Sequence, residues 1–210
     1  MQVLEAIRRR RAVRNYQARP VPPESLHKLI EAGSWAPSAM NGQPWHFVVV
    51  TDKAVLEKIA ASARQWALLH ETELGAAPHL QTLLSDAQYD ILHRAPALIL
   101  IAAAGGLRWS VETCAVASEN IMLAATELGL GSCWIGLAEG WLNTAEGRAL
   151  LDLPAGEQVL SCLAIGFPEG TTPPPARRRP VISWIGTASE RYVDEQADDY
   201  AGLYGSLIHP

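Results

Sequence analysis

The chain is poor in the residues that brace small or secreted proteins. Its three cysteines, Cys114, Cys133 and Cys162, are odd in number and far apart, and no CxxC or Cys/His cluster exists. That argues against a disulfide framework and a zinc site and for a reducing compartment, the cytoplasm. The motifs GxSxG, HExxH and GxxxxGK(S/T) are all missing, so no nucleophile-elbow hydrolase, zinc protease or P-loop enzyme is expected. Gly129-x-Gly131 is followed by Trp134 where a dinucleotide fingerprint needs its third glycine, which argues against a Rossmann site. The longest apolar run, Ala95 to Ala104, has ten residues, against ~20 for a bilayer span. The opening MQVLEAIRRRR has no apolar stretch behind a basic head, so no secretory signal is expected.

Lysine is scarce too, supplying three of the 17 cationic residues and leaving 14 to arginine. Eight arginines fall in two short clusters, Arg8 to Arg11 with Arg14, and Arg177 to Arg179. Arginine grips phosphate through a planar fork of donors. In a chain of net charge −5, the clusters suit either a local anion or a solvated helix face with a charged loop. They lack the long basic stripe of a nucleic-acid binder. The 210 residues, 49% hydrophobic and 19% charged, make one ordinary globular domain able to bury roughly 70% of its unfolded surface.

Hydrophobic periodicity sets out the elements. Residues 2 to 11 read as a short helix with Val3, Ala6 and Ile7 at helical spacing. Pro23 opens a second helix, with Leu26, Leu29, Ile30 and Gly33 on one face. A proline-bounded loop, 37–44, leads to a β-branched strand at 46–51. Residues 53–67 are helical with Val55, Leu56 and Ile59 inward, and 68–94 carry a helical pattern broken by Gly75 and Pro78. Residues 97–104 read as a fully buried strand. The longest helix, 109–129, is apolar nearly all round, so it should be buried on every side, and a subunit interface is a natural second wall. Strands follow at 132–137 and 158–167 with a short helix at 143–151 between them. A Pro-rich arm (171–180) and a weakly patterned acidic tail (187–210) close the chain, leaving a domain expected over 1–186. The order implies a central sheet covered by helices.

Few side chains suggest acid, base or nucleophile. His46, beside Trp45, reads as a packed or hydrogen-bonded loop residue, and the cysteines as buried small hydrophobes. The loop APSAMNGQPW combines Pro37 and Pro44 with Ser38, Asn41, Gly42 and Gln43. Small residues let backbone approach a flat ligand while Ser, Asn and Gln offer donors and acceptors. An Asx-type structural turn is the other reading.

Five blocks, RRRAVRNY (9–16), APSAMNGQPWHFVVV (36–50), ELGLGSCWIG (127–136), AIGFPEG (164–170) and ARRRP (176–180), together resemble the FMN-dependent nitroreductase family over residues 2 to about 186. The resemblance implies an α+β fold, with a central, mostly antiparallel sheet wrapped by helices. It implies an intertwined homodimer with FMN at the interface, the arm after Pro180 crossing onto the partner. Arg10, Arg11, Ala12 and Arg14 would hold FMN from one face. Arg10, with Arg178 or Arg179, would fork onto the phosphate. Arg14 would lie near the N1/O2 edge, where a cation stabilises reduced flavin. Pro37, Ser38, Ala39 and Asn41 would come from the other subunit, with Gln43 close by. Trp134, Ile135, Gly136 and Leu137 would line the ring, the Gly136 N–H facing N5. No metal and no catalytic side chain is implied. Ala12 departs from the family's frequent Ser. The Lys and Asn that well-studied members carry before the second strand have no clear counterpart in Ala87 to Arg94, which offers Gln88 and Arg94. Trp66, Leu69, His70, Trp109 and Trp141 are candidates for the substrate side or for the core.

The implied activity is ping-pong transfer of hydride from NADH or NADPH, through FMN, to a nitroaromatic, quinone or similar small electron-poor acceptor. Alternatives are another reaction on the same scaffold (reductive dehalogenation, dehydrogenation, flavin cleavage) and a non-catalytic flavin-binding protein.

Overall fold

The computed structural model describes residues 1–70, 78–86, 88–104, 108–182 and 185. The chain divides into two units, Met1–Thr172 and Pro173–Pro210. In the first, helices α1 (Val3–Arg9) and α2 (Pro23–Ser34) precede strand β1 (His46–Val50). Helices α3 (Lys53–Leu69) and α4 (Pro78–Ser85) lead to β2 (Ala97–Ala104), and α5 (Ser110–Glu127) to β3 (Gly131–Trp134). Helices α6 (Gly136–Leu142) and α7 (Ala145–Leu150) come before β4 (Glu157–Gly166). Pro23 at the first turn starts α2 where its missing N–H has no partner to lose. The Asp52 carboxylate caps α3 by accepting from Val55 N.

The strand order is β1-β2-β4-β3 and every neighbour is antiparallel. β2 has the boundaries its apolar run predicts, and all of it but Ala104 is buried. Alternate residues feed two cores, as the two-residue repeat of a strand requires. Leu98 and Leu100 pack with Leu56 and Ile59 of α3 and with Trp141 and Leu142 of α6. Ile99 and Ile101 pack with Leu29 of α2 and with Ala117 and Ile121 of α5. Each such buried aliphatic side chain contributes about 1.5–3 kcal/mol.

One expectation needs correction. The strand expected over 132–137 stops at Trp134, because Ile135 turns the chain (φ −106°, ψ 77°) into α6, a helix that the apolar run through Ile135 conceals. On α1 Ala6 is buried, while Val3 and Ile7, at the same helical spacing, face out. Within one chain α5 leaves Val111 62% and Val116 41% exposed. The three cysteines are free and buried, and Trp141 is a core residue. Ala87 and the 187–210 tail lie outside the described residues.

Candidate functional site

Residues 10–17 run beside β3 and the end of β4. Ala12 forms a parallel bridge with Ser132, and Val13 N donates to Ser132 O at 2.9 Å. Gln17 N donates to Phe167 O and Glu169 N to Asn15 O, both at 2.9 Å. The approach is close at Gly131, where a Cβ would stand 2.7 Å from the Val13 side chain. Arg10 to Arg14 therefore run in one strip with β3, the strand that ends at Trp134 and turns into Gly136 and Leu137, although the two segments are about 120 residues apart in sequence.

The buried Cys133 thiol registers the charge collected there. Burial pushes its pKa up, and the guanidinium groups of Arg14 and Arg10 pull it back. Arg14 also bears on Tyr16, Tyr89 and His93. It is exposed, and no carboxylate among the described residues lies within ion-pair distance of it. Arg10 Nε lies 3.6 Å from Glu119 Oε1 on α5. Arg11 folds back, donating to the carbonyls of Arg8 and Arg10 at 2.6 and 2.8 Å, and so finishes α1. The Tyr16 hydroxyl donates to Ala164 O at 3.3 Å, and burial drives its pKa far above the usual phenol range.

Ile135 N donates to Cys162 O at 2.8 Å, fixing the start of α6. Gly136 follows, exposed, and among the described residues no backbone carbonyl accepts from the N–H of Gly136 or Leu137. α6 is pinned from two sides. A Cβ at Gly140 would run into the Trp66 ring, and Asn143 exchanges two hydrogen bonds of 2.8 Å with the Val159 backbone. Trp134 Nε1 donates to Glu139 Oε1 at 2.8 Å.

The proline-bounded loop leads into β1, at the opposite edge of the sheet from β3. Three strand spacings make that separation about 14 Å. Ser38 Oγ accepts from Gln43 N at 3.0 Å, and Gln43 Nε2 reaches Asn41 O at 3.4 Å. Met40, Asn41 and Gln43 are left-handed, with φ of 53°, 54° and 45°, a conformation that costs a non-glycine residue about 1 kcal/mol or more. Met40 is 97% exposed. Pro37 to Met40, Trp109 and Val116 border an open cavity of 460 Å³ on the first turns of α5. Arg178 and Arg179 belong to the second unit.

Four residues at or near the strip escape the sequence reading. Tyr89 and His93, in edge-on contact at 6.2 Å, stand in the segment before β2, where the resemblance points only to Gln88 and Arg94. Burial and the Arg14 charge lower the His93 pKa. Glu119 and Glu139 sit on helices whose polar positions resemble a solvent face. His46 hydrogen-bonds Glu157 through Nδ1 at 2.7 Å, and Trp66 stacks on His70 at 4.0 Å.

A four-stranded antiparallel sheet with helices on both faces and a cationic strip along its β3 edge defines a nitroreductase-like α+β protein. Residues 7–167 match the model of the Nitroreductase family, and the chain belongs to that family. It is 34% identical to a putative NADH dehydrogenase/NAD(P)H nitroreductase of Methanothermobacter thermautotrophicus, covering 80% of this chain and 78% of that protein. A nitroreductase of Bacteroides fragilis solved with bound FMN superposes with a TM-score of 0.71 at 29% identity, over 92% of this chain and 100% of that one. An iodotyrosine deiodinase of Thermotoga neapolitana is 25% identical over 84% of this chain and 94% of its own length. No helix among the described residues is long and apolar enough to cross a membrane.

Proposed function

We propose that this oxidoreductase holds FMN on the β3 strip and reduces a nitroaromatic, quinone or similar electron-poor acceptor at the expense of NADH or NADPH, working as a homodimer. The observation that carries the reading is that Arg14, without a carboxylate partner among the described residues, lies on the segment paired with β3, the strand that leads to exposed Gly136, whose N–H has no backbone acceptor among those residues. Together they offer a donor and a cation to one flat, electron-accepting ligand. When bound, FMN supplies the redox chemistry, accepting hydride from the nicotinamide and yielding two electrons to the acceptor.

The protein's part is to bind and orient. Arg14 offers charge to the pyrimidine edge, and Arg10, Arg11 and Ala12 flank it. Trp134, Ile135 and Leu137 supply the wall around Gly136. Arg10 is shared with Glu119, so a bound phosphate competes with that carboxylate for the guanidinium. Pro37, Ser38, Ala39, Asn41 and Gln43 serve the flavin of a second copy. Support for that pairing comes from α5. The loop meets α5 near Val116 and Arg10 meets it at Glu119, with Val111 and Val116 exposed on a helix whose other face packs against α2 and the sheet. Antiparallel pairing of two such helices brings one chain's loop to the other's strip.

The test is an absorption spectrum of the purified protein with added FMN, followed by anaerobic titration with NADH and NADPH. The expected result is a stoichiometric yellow complex bleached by a nicotinamide and re-oxidised by a nitroaromatic or quinone. A protein that refuses FMN contradicts the reading. The deiodinase relatives favour one second reading, reductive dehalogenation. Halide release from a halophenol by the bleached enzyme, without nitro or quinone reduction, would select it.

A further inference from the structure

Trp134 is an odd residue for its place. Its neighbours Cys133 and Ile135 are buried, while Trp134 itself is 37% exposed at the end of β3. An indole N–H at a surface can be satisfied by water. Here it is satisfied by a carboxylate instead, Glu139 Oε1 at 2.8 Å. Glu139 is half-buried, and burial pushes its pKa up while the Trp134 bond pulls it down. Among the described residues no cation lies within ion-pair distance of it, and no other group donates to its carboxylate. The half-buried carboxylate gives up part of its hydration beside this one hydrogen bond, and the bond fixes the orientation of the indole.

The helix that carries the carboxylate is held in place. Glu139 precedes Gly140, whose missing side chain lets the Trp66 ring lie against α6, and Asn143 ties the end of that helix to β4. A helix held at Gly140 and Asn143 therefore carries the acceptor of a tryptophan two residues from Gly136. We propose that Glu139 is a positioning residue for the flavin, holding the Trp134 indole as the wall on which the isoalloxazine ring rests. This rests on the reading that FMN occupies the β3 strip. Glu139 touches neither flavin nor substrate; its influence passes through Trp134.

The experiment is a double-mutant cycle read by FMN affinity and by the fluorescence of the bound flavin, which a stacked indole quenches. Glu139→Ala weakens FMN about tenfold, the scale of one charge-assisted bond, and brightens the bound flavin. Glu139→Gln keeps an acceptor for Nε1 and stays within about twofold of the parent. Trp134→Phe removes the N–H, so adding Glu139→Ala to it changes affinity by less than about twofold. Should Glu139→Ala fail to fold, Glu139→Met fills the same volume and enters the same cycle. Equal losses from the Glu139 change with Trp134 intact and with Trp134→Phe, or no rescue by Gln, overturn the proposal while leaving FMN binding intact. A protein that never binds FMN overturns the functional reading itself, and this inference with it.

Discussion

The strip at β3 and the loop ahead of β1 are the two halves of the proposed site, and they are held by different means. Backbone bonds to Ser132 and Phe167 lock residues 10–17 to the sheet, and the Val13–Gly131 contact leaves no slack. The loop is held mostly by itself, through Ser38, Asn41 and Gln43, with three left-handed residues and a bare Met40. A segment anchored in its own sheet is ordered before any ligand arrives. A strained, exposed loop over an apolar helix face is ordered for something that covers it. The difference suits the complementary parts proposed for them, the strip for its own chain's flavin and the loop for a neighbour's.

The largest effect should come from disturbing what holds the strip's helix. Gly140→Val drives a branched side chain into Trp66 and should cost about 3 kcal/mol, a fall of about 10 °C in Tm. Thermal denaturation checks it, and Trp66→Leu in the same chain should restore part of the loss. Val116→Asp places a charge on the uncovered face of α5. It should give a monomer by size-exclusion chromatography whose FMN affinity is down about a hundredfold, roughly 3 kcal/mol, with the strip untouched. A monomer that still binds FMN as before would dissolve the comparison. Arg14→Gln should weaken FMN about tenfold without changing the Tm of the ligand-free protein, as measured by fluorescence titration and thermal denaturation.

The smallest effect is one of pH. Burial raises the Glu139 pKa in the folded chain. Above the unfolded value, about 4.3, ionising this group therefore costs stability, and the cost grows until pH passes the folded value. Glu139→Gln removes it, so the ligand-free variant should melt above the parent at pH 7 and level with it below pH 4. A lower Tm at pH 7 would mean that the Trp134 bond outweighs the burial.

Much of this architecture is legible in the sequence. The run 97–104 is long, apolar and bounded by Pro96, and it forms a strand with those limits. Pro23 starts its helix, and the two blocks of the strip are each recognisable from their residues. Strand pairing alone brings the blocks together, which no local pattern shows. α6 escapes because SCWIGL continues an apolar run through Ile135, and the helical spacing of Ala138, Trp141 and Leu142 begins only after Gly136. Val3 and Ile7 of α1 follow a helical period yet face out, since a period marks an apolar face without saying which chain covers it. The same holds for α5. Glu139 is invisible because a glutamate on a short helix resembles any solvated glutamate until its partner is known.

The most direct test of the account is subunit complementation. One chain carries strip lesions (Arg10→Ala with Arg14→Ala) and the other a blocked loop (Ala39→Trp). The hybrid is purified through two different tags, and its bound FMN is measured by absorbance. If each site joins one chain's strip to the other's loop, every hybrid dimer has one site free of lesions and binds one FMN with parental affinity, although neither homodimer does. If each chain builds its site alone, every site carries a lesion, and a hybrid as colourless as its parents would contradict the account.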